Sequence, residues 1–298
     1  MLTATLGGVI DHLTQRWVQV TGRAIDLQQD SWLDGPAGDP AGIGYDFFHK
    51  LAAALGLELR QPVVAGLLQD FAVLRSSDFD PGIVAKEVVD FYQSTSLYSM
   101  DAWSEWTGVF RPFGFLLAFI FSRRLQQLNI PLSPLDTSRG LTSEVLQLVD
   151  PRTQNVHLTA WVRQLLKTGH VLYAGTYSAC RIPQYSGLCM RVVFPLPNGN
   201  AMVIMRPVAH PDGSFSVVSH GQGFGDAGFY FTVHSGGRVR ARYLKSLRES
   251  IRVYKAERAT VRADHTLSLW GVTFLRLHYR LERKENLTAL SALSSPSV

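Results

Sequence analysis

The sequence predicts an α+β fold, in which a helical N-terminal region precedes an antiparallel β-barrel or strongly curved sheet of roughly 8–10 strands. Apolar residues recur at helical spacing in the first part of the chain, up to about residue 130. After residue 140, short β-branched and aromatic runs alternate with turn residues. We therefore expect a helical region at 1–130, a linker at 131–140, a barrel-like domain at 141–284 and a disordered tail at 285–298.

Two helices have recognisable ends in the N-terminal region. The stretch "YDFFHKLAAALGL" has helical spacing and a glycine, Gly56, where a helix C-terminus favours one. In "FDPGIVAKEVVDFY", Asp80 and Pro81 occupy positions typical of an N-cap and a first-turn proline. The apolar stripe of this second helix consists of Val84, Val88, Val89 and Tyr92. The helical tendency continues through "MDAWSEWTGVFRPFGFLLAFIFSRRLQQLN".

The most apolar run of the chain is Phe113–Phe121, bounded by arginines on both sides. Its nine residues are far fewer than the ~20 that a membrane-spanning helix requires. We expect a buried helix that covers one face or mouth of the sheet. The alternative is a helix at a membrane surface, which the flanking basic residues would suit.

Turn chemistry supports antiparallel pairing in the second half. In "FPLPNGNAMVIM", Asn198-Gly199 separates two apolar runs and predicts a hairpin with a type I′ turn. Pro211-Asp212-Gly213 predicts a second turn. The two cysteines, Cys180 and Cys189, flank a further turn and could face each other across a hairpin, where we expect two free buried thiols.

Charge is unevenly distributed along the chain. Residues 1–107 carry 14 acidic and 6 basic side chains, whereas residues 238–284 carry 13 basic and 4 acidic ones. Either the acidic front packs beside the basic back and each offsets the other, or the basic segment meets an anionic ligand or an anionic membrane. Both interpretations remain open at this stage.

One glycine-rich stretch, "SHGQGFGDAGFYFTV", spells G-x-G-x-x-G through Gly223, Gly225 and Gly228. A dinucleotide-binding loop needs a helix after these glycines, because the pyrophosphate rests on the helix N-terminus. Here an aromatic, β-branched run follows, which predicts a strand. We therefore expect a loop at the rim of the sheet, where His220 and Asp226 could touch a ligand.

The last long strand supplies most of the predicted ligand site. Strand alternation places Trp270 and Phe274 on one face, followed by Arg276, His278 and Arg280. If this face lined a barrel, its interior would be aromatic at one end and cationic at the other. We predict that these five residues, with His220, bind an apolar or amphipathic anionic small molecule, although the pattern leaves open which face is internal.

Other functions receive less support. The nine histidines show no metal-ligand spacing, and no G-x-S-x-G motif is present, so no metal, no cofactor and no catalytic residue are predicted. Nucleic acid is disfavoured, because neither an RNP-type nor a helix-turn-helix signature accompanies the basic segment. The alternatives are an acid/base enzyme using His278 or His220, and a module that contacts an anionic membrane or a protein. The first residues lack the basic n-region and long apolar h-region of a signal peptide, so we expect a cytoplasmic protein with peripheral membrane contact as an option.

Four stretches carry a family resemblance: "DAWSEWTGVFRPFGFLLAFIFSRRLQQLN", "FPLPNGNA", "GQGFGDAGFYF" and "SLWGVTFLRLHYRL". Together they resemble the soluble part of bacterial YndJ-like proteins, a family without an assigned activity. The resemblance covers most of the chain from about Phe91 onward. It implies no catalytic or binding residues.

Overall fold

The computed structural model describes residues 2–38, 46–107, 141–165, 171–257 and 260–284. The described chain contains three α-helices and fourteen β-strands. The helices are α1 (Leu2–Thr21), α2 (Phe47–Leu55) and α3 (Lys86–Gln93). The strands are β1 (Arg23–Ile25), β2 (Glu58–Arg60), β3 (Tyr98–Trp106), β4 (Leu141–Val149), β5 (Val156–Leu165), β6 (Val171–Ile182), β7 (Tyr185–Leu196), β8 (Gly199–Ala209), β9 (Phe215–Val218), β10 (Gly228–Ser235), β11 (Arg238–Leu244), β12 (Leu247–Lys255), β13 (Val261–Leu269) and β14 (Val272–Arg283).

The expected helix ends are present in the described chain. Helix α2 ends at Gly56, whose φ of +66° is left-handed, and its N–H donates to the carbonyls of Ala52 and Ala53. The Asp80 carboxylate accepts the N–H of Gly82 and caps a single 3₁₀ turn, and α3 follows three residues later. The predicted cap is therefore confirmed, although it begins a short 3₁₀ turn instead of α3 itself.

The helical prediction is wrong for the residues of β3. Tyr98 and Met100 are buried, whereas Asp101, Trp103 and Glu105 are exposed, which is the period-2 pattern of a strand. β3 forms an antiparallel ladder with β14 along its whole length. Three predicted features lie outside the described residues: the apolar run Phe113–Phe121, the linker at 131–140 and the disordered tail at 285–298.

The fourteen strands form one antiparallel sheet that does not close into a barrel. Its main path runs β2-β4-β5-β6-β7-β8-β9-β12-β13-β14-β3, and β10, β11 and β1 branch from β8. The ends of the path, β2 and β3, are not joined by a ladder. The prediction of antiparallel strands after residue 140 is confirmed, but a closed barrel of 8–10 strands is wrong. The described part of the chain is mostly β, so the α+β class holds only in part.

Strand β8 divides the sheet into two layers. Its residues Gly199–Ile204 pair with β10, while Arg206–Ala209 pair with β9. One layer therefore contains β4–β8 with β10 and β11, and the other contains β9, β12, β13, β14 and β3. The largest apolar core lies between the layers and includes Val192 and Met205 from the first and Val253 and Ala263 from the second.

Helices and 3₁₀ turns complete this core at one end. Phe71, Phe79 and Tyr92 pack edge-on around Phe215 of β9, with ring centroids 5.0–5.6 Å from that ring. Val88 of the predicted apolar stripe is fully buried in the same core. Aromatic pairs of this geometry add to the stabilisation that area burial alone provides.

The N-terminal segments cover the outer faces of the first layer. Trp32 and Leu33 pack on Cys189, Met202 and Ile204, which point away from the inter-layer core. Helix α2 packs on β4, β5 and β6 through a separate apolar cluster. Strands β4, β5, β7 and β8 are therefore buried on both faces over part of their length.

The end of α1 is fixed to β11 by two arginines. Arg242 donates to the carbonyl of Thr21 and Arg240 to that of Gly22, each at 3.0 Å. These carbonyls are the acceptors that a helix C-terminus leaves unsatisfied, and cations are favoured there. Two basic side chains of the segment at residues 238–284 therefore bind the end of helix α1.

Contacts between the acidic front and the basic back occur at several points. Lys255 Nζ lies 2.6 Å from Glu87 Oε1, and Arg276 Nη1 lies 4.0 Å from Glu105 Oε1. Arg280 is directly opposite Asp101 in the ladder between β14 and β3. These are the contacts expected if the two charged regions offset each other.

Both predicted turns are present. β7 and β8 form a hairpin in which Leu196 pairs with Gly199, so its turn residues are Pro197 and Asn198. Asn198 is left-handed with φ of +58°, but Gly199 is not, and a type I′ turn at Asn198-Gly199 is therefore wrong. The turn between β8 and β9 contains Gly213 with φ of +78°.

Candidate functional site

A cavity of about 200 Å³ lies between the two layers of the sheet. Its walls are largely apolar, and they include leucines of β13 and β14, aromatic residues of β5, β6, β10 and α3, and methionines and valines of β7, β8 and β12. The polar side chains of the wall are Arg163, Glu249, His265 and the three tyrosines Tyr92, Tyr177 and Tyr279. An apolar cavity of about 150 Å³ is enough to hold a benzene-sized molecule in other proteins.

Strand alternation selects the residues that line this cavity. On β12 the lining residues are Glu249, Ile251 and Val253, and on β13 they are Ala263, His265 and Leu267. On β14 they are Leu275, Leu277, Tyr279 and Leu281. Because alternate residues of a strand point to opposite faces, every second residue of these three strands faces the cavity.

Three of the polar residues form a cluster on one wall. His265 Nε2 lies 3.4 Å from Glu249 Oε1, without the geometry of a hydrogen bond. On the other side of the ring, His265 Nδ1 lies 3.4 Å from the Tyr279 hydroxyl, and the two rings stack with an interplanar angle of 24°. Glu249 is only 7% exposed. The cluster therefore combines a carboxylate, an imidazole and a phenol at the cavity wall.

Arg163 of β5 brings a cation to the same cavity. Its side chain is 9% exposed, and the guanidinium carbon lies 3.6 Å from the ring centroid of Trp161 and 5.6 Å from that of Tyr279. Trp161 is itself held by a hydrogen bond from Nε1 to Ser143 Oγ. Burial raises the pKa of Tyr279; the charge of Arg163 opposes this shift and that of Glu249 adds to it.

The predicted site residues of the last strand lie elsewhere. Phe274, Arg276, His278 and Arg280 alternate with the lining residues of β14 and point to the opposite face of the sheet. Trp270 lies in the turn between β13 and β14 and is 78% exposed. The structure thus settles which face of β14 meets the cavity, and it is the face of Leu275 and Tyr279. Ligand binding by the other face stays a prediction.

His278 lies in a charged cluster on that opposite face. Its Nδ1 is 2.7 Å from Asp264 Oδ1, and its Nε2 is 3.9 Å from Glu105 Oε2. Its ring also stacks on Trp103, with centroids 5.5 Å apart. All four residues are at least partly exposed, so solvent screens these charges.

His220 and the glycine-rich loop lie at the end of β9, outside the cavity lining. Partial burial and the nearby Arg248 lower the pKa of His220. The loop is followed by β10, so the prediction of a strand after the glycines is confirmed.

Asp226 of this loop is buried and fully engaged. Its carboxylate pairs with Arg206 and accepts the N–H groups of Gln222 and Ala227. The Tyr230 hydroxyl donates to the carbonyl of Asp226 and accepts the N–H of Gly225. These contacts hold the loop against β8 and β10, and they give Asp226 a structural role.

The sequence carried signals for the residues that the prediction missed. In "LRESIRVYK", Glu249 has the same parity as Ile251 and Val253, so alternation alone places its carboxylate on an apolar face. Trp161 and Arg163 are similarly two positions apart on β5. Glu249 lies in one layer, and Trp161 and Arg163 lie in the other. They line the same cavity because the sheet divides into two layers at β8, and no local sequence pattern indicates that division.

Neither a membrane-spanning helix nor a metal centre is found in the described parts of the chain. No helix there is long and apolar enough to cross a bilayer. No group of three or more His, Cys, Asp or Glu side chains there is arranged to hold a metal ion.

Comparison with known proteins identifies one similar protein and no solved structure. The chain is 27% identical over 218 residues to an uncharacterised membrane protein, YndJ, of Bacillus subtilis strain 168. The match covers 73% of this chain and 38% of that protein, so the chain spans well under half of its relative. It confirms the resemblance seen in the sequence. No family model matches, and no solved structure is similar.

Proposed function

We propose that this protein binds an apolar or amphipathic anionic small molecule, of lipid-like character, in the cavity between the two layers of its sheet. The observation that carries the proposal is the lining of that cavity, in which apolar walls surround the buried cation Arg163. Ligand sites are commonly concave and mostly apolar, with a few placed polar groups that fix orientation.

The walls supply the affinity for an apolar body. Leu267, Leu275 and Leu277 from the second layer line the cavity together with Phe229 and Phe194 from the first. Removing apolar surface of a ligand from water in such a site is favourable by about 25 cal/mol per Å².

Arg163 supplies the affinity for a negative charge. The planar guanidinium is held over Trp161, which limits its motion. A buried guanidinium forms strong, charge-assisted hydrogen bonds to carboxylate and phosphate oxygens. The sequence predicts this role for Arg276 and Arg280; we propose Arg163 instead, because it lines the cavity and they do not.

The enzyme alternative finds less support in the named residues. His278 and His220, the two predicted acid/base groups, are not among the residues that line the cavity. His265, Glu249 and Tyr279 do line it, and they could hold or move a proton, but no serine, threonine or cysteine nucleophile is among the lining residues. A non-enzymatic binding protein is the simpler proposal. We propose that this binding protein is located in the cytoplasm or at the membrane surface.

Native mass spectrometry of protein purified from bacterial cells tests the proposal. We expect an added mass that stays with the folded chain and is released on unfolding. Ala263→Phe, which fills the cavity, should abolish it, whereas Thr266→Phe, on the opposite face of β13, should retain it. Absence of any added mass in the wild type, or an equal mass in both variants, would contradict the proposal.

A second measurement isolates the role of Arg163. Anilinonaphthalene sulfonate, an apolar anion whose fluorescence rises in apolar sites, serves as the probe. Arg163→Met should weaken its binding by about tenfold or more, because a charge-assisted hydrogen bond is lost, and Arg163→Lys should weaken it less. Equal binding by all three proteins would remove Arg163 from the proposal.

A further inference from the structure

The turn that joins β13 to β14 holds a tryptophan in an unfavourable backbone conformation. Trp270 has φ of +49° and Gly271 has φ of +83°. Two successive positive φ values are those of a type I′ turn, for which Asn-Gly is the favoured pair. A bulky residue in the left-handed region is a conformational outlier, and such outliers are a reason to look for function.

Packing does not explain why tryptophan is present here. The side chain of Trp270 is 78% exposed, and that of Val272, next to the turn, is 56% exposed. Both apolar groups therefore lie in water at the most protruding part of the hairpin. Asn at position 270 would suit the backbone better and would expose less apolar surface.

Basic residues border these two apolar groups. The backbone N–H of Trp270 donates to the carbonyl of Ser246 at 2.8 Å. This bond fixes the turn between β11 and β12 beside the hairpin. That turn carries the exposed Lys245, and Arg248 follows in β12. We call the group formed by Lys245, Ser246, Trp270, Gly271 and Val272 the Trp270 tip.

We propose that the Trp270 tip docks on the surface of an anionic phospholipid bilayer. Tryptophan is enriched at the level of lipid headgroups, where its ring has apolar surroundings and its N–H has water. Lysine and arginine beside it are attracted to anionic lipids. The tip is also small, whereas a stable protein–protein interface involves roughly 20–30 residues on each side. A bilayer can accept a tip of this size as an anchor.

The tip lies close to the cavity but does not depend on its contents. Leu267 lines the cavity three residues before Trp270, which corresponds to about 10 Å along a strand. Docking at the tip would therefore bring the cavity near the lipid headgroups. The inference stands on the turn and its charges, and it holds whether or not the cavity takes a ligand.

Co-sedimentation with vesicles tests the inference on the full chain. The probes are vesicles of phosphatidylcholine alone and of phosphatidylcholine with phosphatidylglycerol. We expect the wild-type protein to sediment with the second kind and to dissociate as salt increases, because salt screens the attraction of Lys245 and Arg248 to the anionic surface.

Trp270→Asn is the decisive variant, since it relieves the backbone outlier while removing the indole. We expect its binding to vesicles to fall by about tenfold or more, because the ring would otherwise bury a large apolar area. Its melting temperature should be equal to or above that of the wild type. Lys245→Gln should weaken binding by about fivefold and reduce its salt dependence.

Val272→Ser and Val63→Ser form a matched pair. Val63 is 84% exposed and lies near the far end of β14, since its carbonyl accepts from Ser96 Oγ and the carbonyl of Ser96 accepts from Lys284. Val272 and Lys284 are separated by the length of β14, about 40 Å. We expect Val272→Ser to weaken vesicle binding and Val63→Ser to leave it unchanged.

Three outcomes would overturn the inference. One is a wild-type protein that does not bind anionic vesicles. Another is a Trp270→Asn variant that binds them as the wild type does. The third is a tip that mediates self-association, seen as a dimer in solution that Trp270→Asn dissociates, with no vesicle binding by either protein.

Discussion

His265 and Glu249 meet at the wall of an apolar cavity, where the imidazole Nε2 lies 3.4 Å from a carboxylate oxygen that is almost completely buried. A second histidine–carboxylate pair, His278 with Asp264, lies on the opposite face of the same strands, at 2.7 Å and partly exposed. The two pairs differ mainly in how far they are exposed to solvent. Comparing their contributions to stability therefore isolates the effect of burial.

We expect the buried pair to matter more for stability than the exposed pair. His265→Leu leaves the Glu249 carboxylate without its neighbour in a buried site, which should lower the free energy of unfolding by about 1–3 kcal/mol. His278→Leu removes a solvent-screened contact and should lower it by less than about 1 kcal/mol. Urea-induced unfolding of both variants measures the difference, and a larger effect for His278→Leu would show that this comparison of surroundings is mistaken.

The glycine-rich loop allows a comparison within one motif. A Cβ at Gly223 would meet no atom within 4 Å, whereas a Cβ at Gly228 would lie 2.3 Å from Tyr243 Cε2, at a φ of +152°. Gly228→Ala should therefore destabilise the protein by about 2–4 kcal/mol, and Gly223→Ala should change stability by less than about 0.5 kcal/mol. Thermal and urea unfolding report both. Equal stability changes for the two variants would contradict the prediction that only the Gly228 position excludes a side chain.

Asp212 gives the protein a defined acid sensitivity. Hydrogen bonds from Ser214 and then the charge of Arg252 lower the pKa of Asp212 from 3.8 to about 2. A carboxyl whose pKa is lowered in the folded protein stabilises the fold at pH values above its ordinary pKa of 3.8. This contribution is lost as the pH falls through about 2. Asp212→Asn should thus have a lower melting temperature than the wild type near neutral pH, and the gap should close between pH 3.8 and about 2.

Ser214→Ala serves as the companion to that experiment. It removes the hydroxyl that donates to Asp212 Oδ1 and accepts from Arg252 Nε, and it should reproduce part of the change while the ion pair between Arg252 Nη2 and Asp212 stays in place. A gap between wild type and Asp212→Asn that persists at the lowest pH would argue against an effect of this ionisation.

The two cysteines should be unreactive in the folded protein. Cys180 and Cys189 are direct partners in the ladder between β6 and β7, and both are free and buried. Burial raises the pKa of Cys180 to about 11 and also raises that of Cys189. At pH 8 only about one thiol in a thousand would be ionised at Cys180, and the thiolate is the reactive form. Iodoacetamide should modify neither residue until the protein is unfolded, as intact-mass measurement would show.

Local patterns predicted the strands and turns of the second half well. Alternation and turn residues are sufficient there, because each hairpin is formed by neighbours in the sequence. The residues of β3 show the limit of this approach. "YSMDAWSEW" has no strong turn signal before it and lies between helical patterns, and its strand character depends on pairing with β14, some 170 residues later.

Gly199 shows a different limit. The Asn198-Gly199 pair predicted the hairpin, but the glycine is required for another reason, because a Cβ there would lie 2.0 Å from the carbonyl oxygen of Thr232 in β10. Close packing against β10 therefore requires glycine at position 199. The turn itself is formed by Pro197 and Asn198, one position before the predicted pair.

Only part of the candidate site could be predicted from the sequence. Alternation divided β14 correctly into two faces, Leu275 and Tyr279 on one and Arg276 and His278 on the other. Which face became internal was decided by the first layer, which packs over the leucines through Trp161 and Met190. An arrangement of this kind depends on contacts between layers and has no local signature.

The attachment of helix α1 has a consequence for the order of folding. Its C-terminal carbonyls are bound by Arg240 and Arg242, 218 and 221 residues along the chain, and β1 pairs with the same strand, β11. Contacts so distant in sequence form late, because the intervening chain must first be ordered. During synthesis, helix α1 therefore waits until β11 has been made, and it is among the last of the described elements to reach its native place.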